Sequence, residues 1–500
     1  MKPLFVVVQR KVVLVGVAAV ALFGVLGAWA LGSPPASGPD ERFHYGFIWC
    51  PDDVVSDTCL SVVNEDGGEI RVRYAVGDRL CFLGQPSRPA KCSDSRGSSE
   101  TVIVRGAYPA GYYSVASSLV SQDDESSVLR IRMMNAAVTI TLLTVTLLLA
   151  DRRLRRAVIV AVLISYGPLH LSLLSSTHHQ SWSIAAITSG WALAVAAATA
   201  PDLRRRVWGL VFWVTGLALA ASSRWEGGPY YLFTSLAAIT PIFYGVFRRM
   251  RHFRSVMFAA ASVLALVQIP NWPFSVRRWV TGVNSVPLNP VGPDVWTWLT
   301  SWLTHFPTVM MEVFGGGGMA TDDIPIPELG PTMGPLLLGA ICAFAVARTN
   351  RWQLAVAGTQ LTVILLSILF YTNIELDLYT LPGRYVTPLV GVLVGVLIYQ
   401  SQATSQFTDH TFLRRALFGL LFVFHAVALH SYLERFVVGS RPNFAPLSQT
   451  LDTWWWRNVA LTPNQTVVFG TFFFGVLLAA LASLLALRTE DDAGTRRNWP

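Results

Sequence analysis

Val12 to Leu31 reads VVLVGVAAVALFGVLGAWAL, an unbroken apolar run without a single charge. A helix needs about 20 such residues to cross roughly 30 Å of hydrocarbon. A secretory signal has a shorter apolar core of about 7–15 residues ahead of a small-residue cleavage site. Gly32-Ser33-Pro34-Pro35 is a poor cleavage site because proline follows directly. The run therefore reads as a retained first membrane helix. Further apolar runs follow along the chain, and twelve spans are expected: 12–32, 131–150, 157–175, 181–200, 207–223, 229–247, 255–271, 333–347, 353–371, 384–400, 415–433 and 467–487. The expected fold class is an all-α polytopic membrane protein.

Composition agrees with that reading. Hydrophobic residues make up 52% of the 500 and charged residues 14%, against about 25% charged in soluble domains. The mean hydropathy is +0.46. A soluble enzyme and a disordered chain are excluded. So is an outer-membrane barrel, whose strands alternate rather than run apolar.

The net charge of +8 is carried almost wholly by arginine, since only three lysines occur. Arginines cluster at 152, 153, 155 and 156, at 204–206, and at 248, 249, 251 and 254. A basic patch on a soluble chain would suggest nucleic acid. Here the clusters lie at alternate loops between apolar runs, which is the positive-inside pattern. Both termini are expected inside, and no nucleic-acid partner is expected. The outside segments are 33–130, 272–332 and 434–466. The implied organisation is 1–32 (N-terminus and first helix), 33–130 (external domain), 131–490 (the remaining helices with their loops) and 491–500 (cytoplasmic tail).

Cys50, Cys59, Cys81 and Cys92 all fall in the first external segment. An oxidising compartment favours disulfides, and four cysteines allow three pairings. Nearest-neighbour pairing is favoured, but connectivity stays open. The spacings C-x8-C and C-x10-C do not suit structural zinc. Glu69–Tyr74 (EIRVRY) and Glu100–Arg105 (ETVIVR) alternate like strands. A small disulfide-braced β-containing insert between the first two helices is expected.

Few residues are placed to carry chemistry. Pro39-Asp40-Glu41-x-x-His44 puts two carboxylates and a histidine just beyond the first span. Asp40 and Glu41 can act as general bases if their surroundings shift them. They can equally cap a helix and favour its dipole. Tyr108-Pro109-x-x-Tyr112-Tyr113 precedes the second span and suits an interfacial belt. Arg224 and Arg384-Tyr385 sit at external helix ends, against the positive-inside trend. There an arginine can pair with a phosphate or simply snorkel. Adjacent His178 and His179 lack a third ligand within sequence reach, so no metal site is expected. Charges deep within spans are scarce, which argues against an ion-coupled transporter.

The order of these fragments resembles a bacterial family of membrane proteins of unknown function grouped with the GT-C glycosyltransferases. The resemblance runs over residues 1–490. It rests on Pro-Asp-Glu-x-x-His, Tyr-Pro-x-x-Tyr-Tyr, Phe314-Gly315 with Asp322 to Pro327, and Gly383-Arg384-Tyr385-x-x-Pro388. It implies a GT-C-like enzyme of the bacterial plasma membrane. A sugar would pass from a polyprenyl-phosphate donor to an envelope glycan or lipid acceptor on the outer face. Asp40 and Glu41 would be the catalytic acids, and His44, Tyr108, Arg224, Arg384 and Tyr385 would bind substrate. Some members of the superfamily need a divalent cation such as Mg or Mn and others do not, so a cofactor is left open. Glycines where the family has Trp-Leu-Asp after Phe314-Gly315, and Thr177-His178-His179-Gln180 in place of Asn-Pro, depart from the pattern. A transporter and a non-catalytic envelope assembly protein remain the alternatives.

Overall fold

The structure, a computed structural model, describes residues 2–38, 40–50, 59–60, 69–74, 82, 87–90, 99–104, 108–224, 227–247, 387–400, 411–439, 447, 454–456 and 459–487. These residues are mostly helical. In chain order the helices are α1 (Lys2–Gly32), α2 (Glu41–Trp49), α3 (Ala110–Ser117), α4 (Asp124–Leu149), α5 (Arg152–Ser165), α6 (Pro168–Leu174), α7 (Gln180–Thr199), α8 (Leu203–Ser223), α9 (Gly227–Phe247), α10 (Thr387–Gln400), α11 (Thr411–Val437) and α12 (Pro463–Ala486).

Among the described residues, six helices are long and apolar enough to cross a membrane, or seven if one bent pair counts as a single span. The six coincide with the expected spans at 12–32, 131–150, 181–200, 207–223, 415–433 and 467–487. The expected spans 255–271, 333–347 and 353–371 lie outside the described residues. Helix α10 has 14 residues and covers only part of the run from 384.

One expectation is corrected. The run 157–175 is not a straight span but α5 and α6, which meet at 96°. Pro168 lacks the N–H that a continuing helix needs, and its ring clashes with the preceding turn. It instead opens α6 at the first position, where a missing N–H costs nothing. Helix α4 also begins well before the apolar run it was read from. It carries Arg132 without ending, because that charge is neutralised internally.

The acids among the arginine clusters are helix caps. The Asp151 side chain accepts from Leu154 N–H, and Asp202 accepts from Arg205 N–H. Thr462 and Gln465 form a capping box at α12. Each satisfies a donor that the helix leaves orphaned. Lys11 Nζ donates to the carbonyls of Leu148 and Ala150 at 2.8 and 2.9 Å. This places the start of α1, the end of α4 and the Arg152 cluster at one end of the bundle.

Between α2 and α3 lies a three-stranded antiparallel sheet in the order β1 (Cys59–Leu60), β2 (Glu69–Tyr74), β3 (Ser99–Val104). Glu69 pairs with Val104 and Tyr74 with Ser99. Cys50 is disulfide-bonded; the side chains of Cys59, Cys81 and Cys92 lie outside the described set. The segment is held on α11. Buried Arg435 donates to the carbonyls of Arg88 (2.9 Å) and Phe82 (2.8 Å), and Phe82 packs edge-on against Phe436. Gly439 takes φ +94° directly over the Ser87 carbonyl, where a Cβ would sit 2.4 Å from that oxygen. Only glycine fits there.

Candidate functional site

The polar centre is assembled at the opposite end of the bundle from Lys11, where α1 ends and α4 and α7 begin. Arg132 of α4 is fully buried and points at the turn after α1. Its guanidinium donates to the carbonyls of Ala30 (2.6 Å), Ser33 (2.8 Å) and Pro34 (3.1 Å). The Ala30 carbonyl is one of the acceptors that the end of α1 leaves unmet, and the other two belong to the turn that follows. The same guanidinium pairs with Glu41, at 3.0–3.3 Å to its two oxygens. Trp456 lies under it, with the ring centroid 5.5 Å away, and donates to the Leu31 carbonyl at 2.8 Å.

Glu41 is also fully buried. Beyond Arg132, its carboxylate accepts from Thr177 N–H (2.8 Å), Thr177 Oγ1 (2.6 Å) and Gly38 N–H (3.1 Å). A buried carboxylate is tolerated when paired and hydrogen-bonded in this way. Tyr45 completes the clamp by accepting from Ala36 N–H at 2.9 Å. Burial, reinforced by the Glu41 charge, pushes the Tyr45 phenol well above its ordinary range.

The clamp fixes the segment between α6 and α7. Thr177 is bound by Glu41, its carbonyl accepts from Tyr112 at 2.7 Å, and the Ser176 carbonyl accepts from Asn135 at 2.7 Å. Asn135 also donates to the Tyr112 hydroxyl at 3.1 Å. The next two residues, His178 and His179, are thereby carried against His44 of α2. All three histidines are buried, and one ring nitrogen from each lies within 4.8 Å of the others. Ring centroids are 4.4 Å apart for His44–His178 and His44–His179 and 4.5 Å for His178–His179. The Tyr113 hydroxyl lies 2.8 Å from Nδ1 of His44 and 3.4 Å from Nδ1 of His179. Burial, with Tyr108 and Tyr112 adding to it, drives the Tyr113 phenol well above its ordinary value; the Arg224 charge opposes this. Tyr113 therefore acts as a neutral hydrogen-bonding group. Imidazoles at this spacing can hold a cation or exchange protons.

The expected site residues divide. His44 and Tyr108 come together, and Arg224 is close enough for its charge to act on Tyr113 beside them. The Tyr108 ring lies 5.3 Å from His44 and 4.7 Å from His179. Arg224 caps the end of α8, which meets α3 so closely that a Cβ on Gly111 would lie 2.5 Å from Cβ of Ser222. The two acids are unlike each other. Glu41 is engaged within the clamp, whereas Asp40 is exposed. Asp40 occupies the N-cap position of α2 in the left-handed region, at φ 52°, and its side chain makes no cap hydrogen bond. The capping role foreseen for its carboxylate is thus not the one it takes. Aspartate tolerates that backbone better than most residues. Arg384 and Tyr385 lie outside the described residues.

Sequence reasoning missed three participants. Arg132, which lies about two turns inside α4, was not singled out in the sequence. His178 and His179 were set aside for want of a third ligand, and that third residue, His44, comes from the far side of the external insert. The structure thus supplies the third histidine that was lacking within sequence reach.

Fold and site together define a polytopic helical membrane protein with a hydrogen-bonded cluster of buried polar residues where α1 ends and α7 begins. The chain belongs to the family described as Predicted membrane protein (DUF2142), which matches residues 23–393. That stretch includes Asp40, Glu41, Arg132, the three histidines and Arg224; α11 and α12 lie beyond it. No curated protein and no solved structure matches the chain.

Proposed function

We propose that this protein is a membrane glycosyltransferase of GT-C type, taking a sugar from a polyprenyl-phosphate donor to an envelope acceptor. The observation that carries the reading is the convergence of His44, Tyr108 and Arg224 beside an acidic pair at one end of the bundle. The positive-inside pattern makes that end external and both termini cytoplasmic. The cysteine-bearing insert would be disulfide-braced on the same side, with membrane lipids around the helices.

In this mechanism Asp40 accepts the proton of an acceptor hydroxyl as its oxygen attacks the anomeric carbon. The bond from that carbon to the phosphate oxygen breaks, and polyprenyl phosphate leaves with the electron pair. Arg224, with Arg384, steadies the charge that develops on the leaving phosphate. Glu41 serves by position: it binds Arg132 and Thr177 and so sets α2 against α7. His44 and Tyr108 would line the sugar.

The test is release of polyprenyl phosphate from a panel of lipid-linked sugars by protein in nanodiscs, with envelope extract as acceptor. Release by wild type that disappears in Arg224→Ala supports the reading. Transport is the second reading, favoured by the 96° break between α5 and α6, since discontinuous helices mark transporter sites. Lipid-linked sugar that crosses a vesicle wall without being consumed would support transport instead.

A further inference from the structure

We infer that His44, His178 and His179 form a binding site for one late first-row divalent metal ion of the zinc class. The three rings come from two segments far apart in sequence. They are buried together, and each offers a nitrogen within 4.8 Å of the other two. Nitrogens bound to zinc at about 2.0–2.1 Å lie a little over 3 Å from one another. Modest side-chain closure completes the geometry.

The donor set selects the metal. Three neutral imidazoles suit zinc, cobalt, nickel or copper, whereas magnesium requires oxygen ligands. The buried carboxylate on the same helix, Glu41, is already held by Arg132, Thr177 and Gly38, so it does not turn this into an oxygen site. Three protein ligands also leave a coordination position for water or an anionic oxygen, the arrangement of reactive rather than structural zinc.

The surroundings fit a ligating role. Histidines that bind metal are oriented by hydrogen bonds at their other nitrogen. The Tyr113 hydroxyl supplies this at Nδ1 of His44, 2.8 Å away, and stands 3.4 Å from Nδ1 of His179. At His178 the Gln180 N–H donates to Nδ1 at 3.0 Å, which puts the proton of the neutral ring on Nε2. Ligation by His178 therefore exchanges either that hydrogen bond or that proton for a metal–nitrogen bond. The Tyr108 ring flanks the cluster, 4.7 Å from His179.

The inference stands apart from the glycosyltransferase reading, because metal is counted without donor or acceptor. The full chain is purified in nanodiscs without a polyhistidine tag, stripped with chelator, and equilibrated separately with zinc, cobalt and magnesium. About one zinc per chain is expected by elemental analysis, with the visible absorption of low-symmetry cobalt. Folded His44→Gln and His178→Gln should lose both signals. Tyr113→Phe should keep the metal with about 10–100-fold weaker affinity, the usual loss when an orienting partner is removed. Copper-loaded wild type adds a readout that needs no variant, since pulsed electron spin resonance counts coordinated imidazoles; three are expected. Folded wild type that takes up no zinc or cobalt, uptake of magnesium alone, copper without imidazole modulation, or unchanged zinc in folded His44→Gln would each overturn the assignment.

Discussion

Glu41 and His44 stand one turn apart on α2, on the same face of the helix, yet they meet opposite surroundings. Glu41 meets a guanidinium and three further donors, and both of its oxygens are engaged. His44 meets two other imidazoles and a neutral phenol. The same contrast is repeated across from them: Thr177 binds the clamp, and the next two residues face the histidine cluster. The clamp holds four parts of the chain in register, and the cluster stands on the frame so made. The Glu41–Arg132 pair positions, and the histidine cluster is equipped to take a ligand.

The sharpest way to break this comparison is to remove one half of the clamp. Glu41→Gln leaves Arg132 as a buried unpaired charge, which costs roughly 3–5 kcal/mol. Thermal unfolding in detergent should show a large drop in midpoint. The double variant Glu41→Gln/Arg132→Leu should recover part of that loss, as coupled partners do. A midpoint unchanged in Glu41→Gln would remove Glu41 from the frame. A smaller effect is expected at the seam that carries Arg224. Gly111→Ala forces α3 off α8 at a 2.5 Å contact, an overpacking loss of about 1–3 kcal/mol. Turnover should fall along with stability, because Arg224 shifts. If only stability changed, Arg224 would be detached from the chemistry. The mildest change is Tyr112→Phe, which removes the bond to the Thr177 carbonyl. A loss of about 1 kcal/mol and slightly weaker zinc binding are expected. Unaltered zinc affinity would show that the segment at 176–179 is positioned by Glu41 and Asn135 alone.

Much of the frame could be read in the one-dimensional chain. Long apolar runs marked the six helices that are long and apolar enough to cross a membrane. The alternation in EIRVRY marked the run that becomes β2. The Pro-Asp-Glu-x-x-His and Tyr-Pro motifs fall at the buried histidine cluster. What escaped was set by three-dimensional pairing. Arg132 belongs to an apolar helix because Glu41 neutralises it, and neither residue announces the other across the intervening insert. Pro168 was visible, but hydropathy alone did not reveal that Gly167-Pro168 bends the chain rather than being absorbed within a span. His178 and His179 looked isolated because periodicity describes neighbours along a helix, and their companion arrives from a different element. The roles of Asp40 and Glu41 could not be separated from sequence either, since adjacent acids look alike until burial divides them.

The division of labour between those two acids is tested most directly by comparing Asp40→Asn with wild type. Asparagine tolerates the left-handed backbone at position 40, so folding should be preserved. Release of polyprenyl phosphate per folded molecule is the quantity to measure, alongside the thermal midpoint. The account predicts an unchanged midpoint with release reduced by about 10²–10⁴-fold, the usual contribution of a general base. Release equal to wild type from stably folded Asp40→Asn would contradict it.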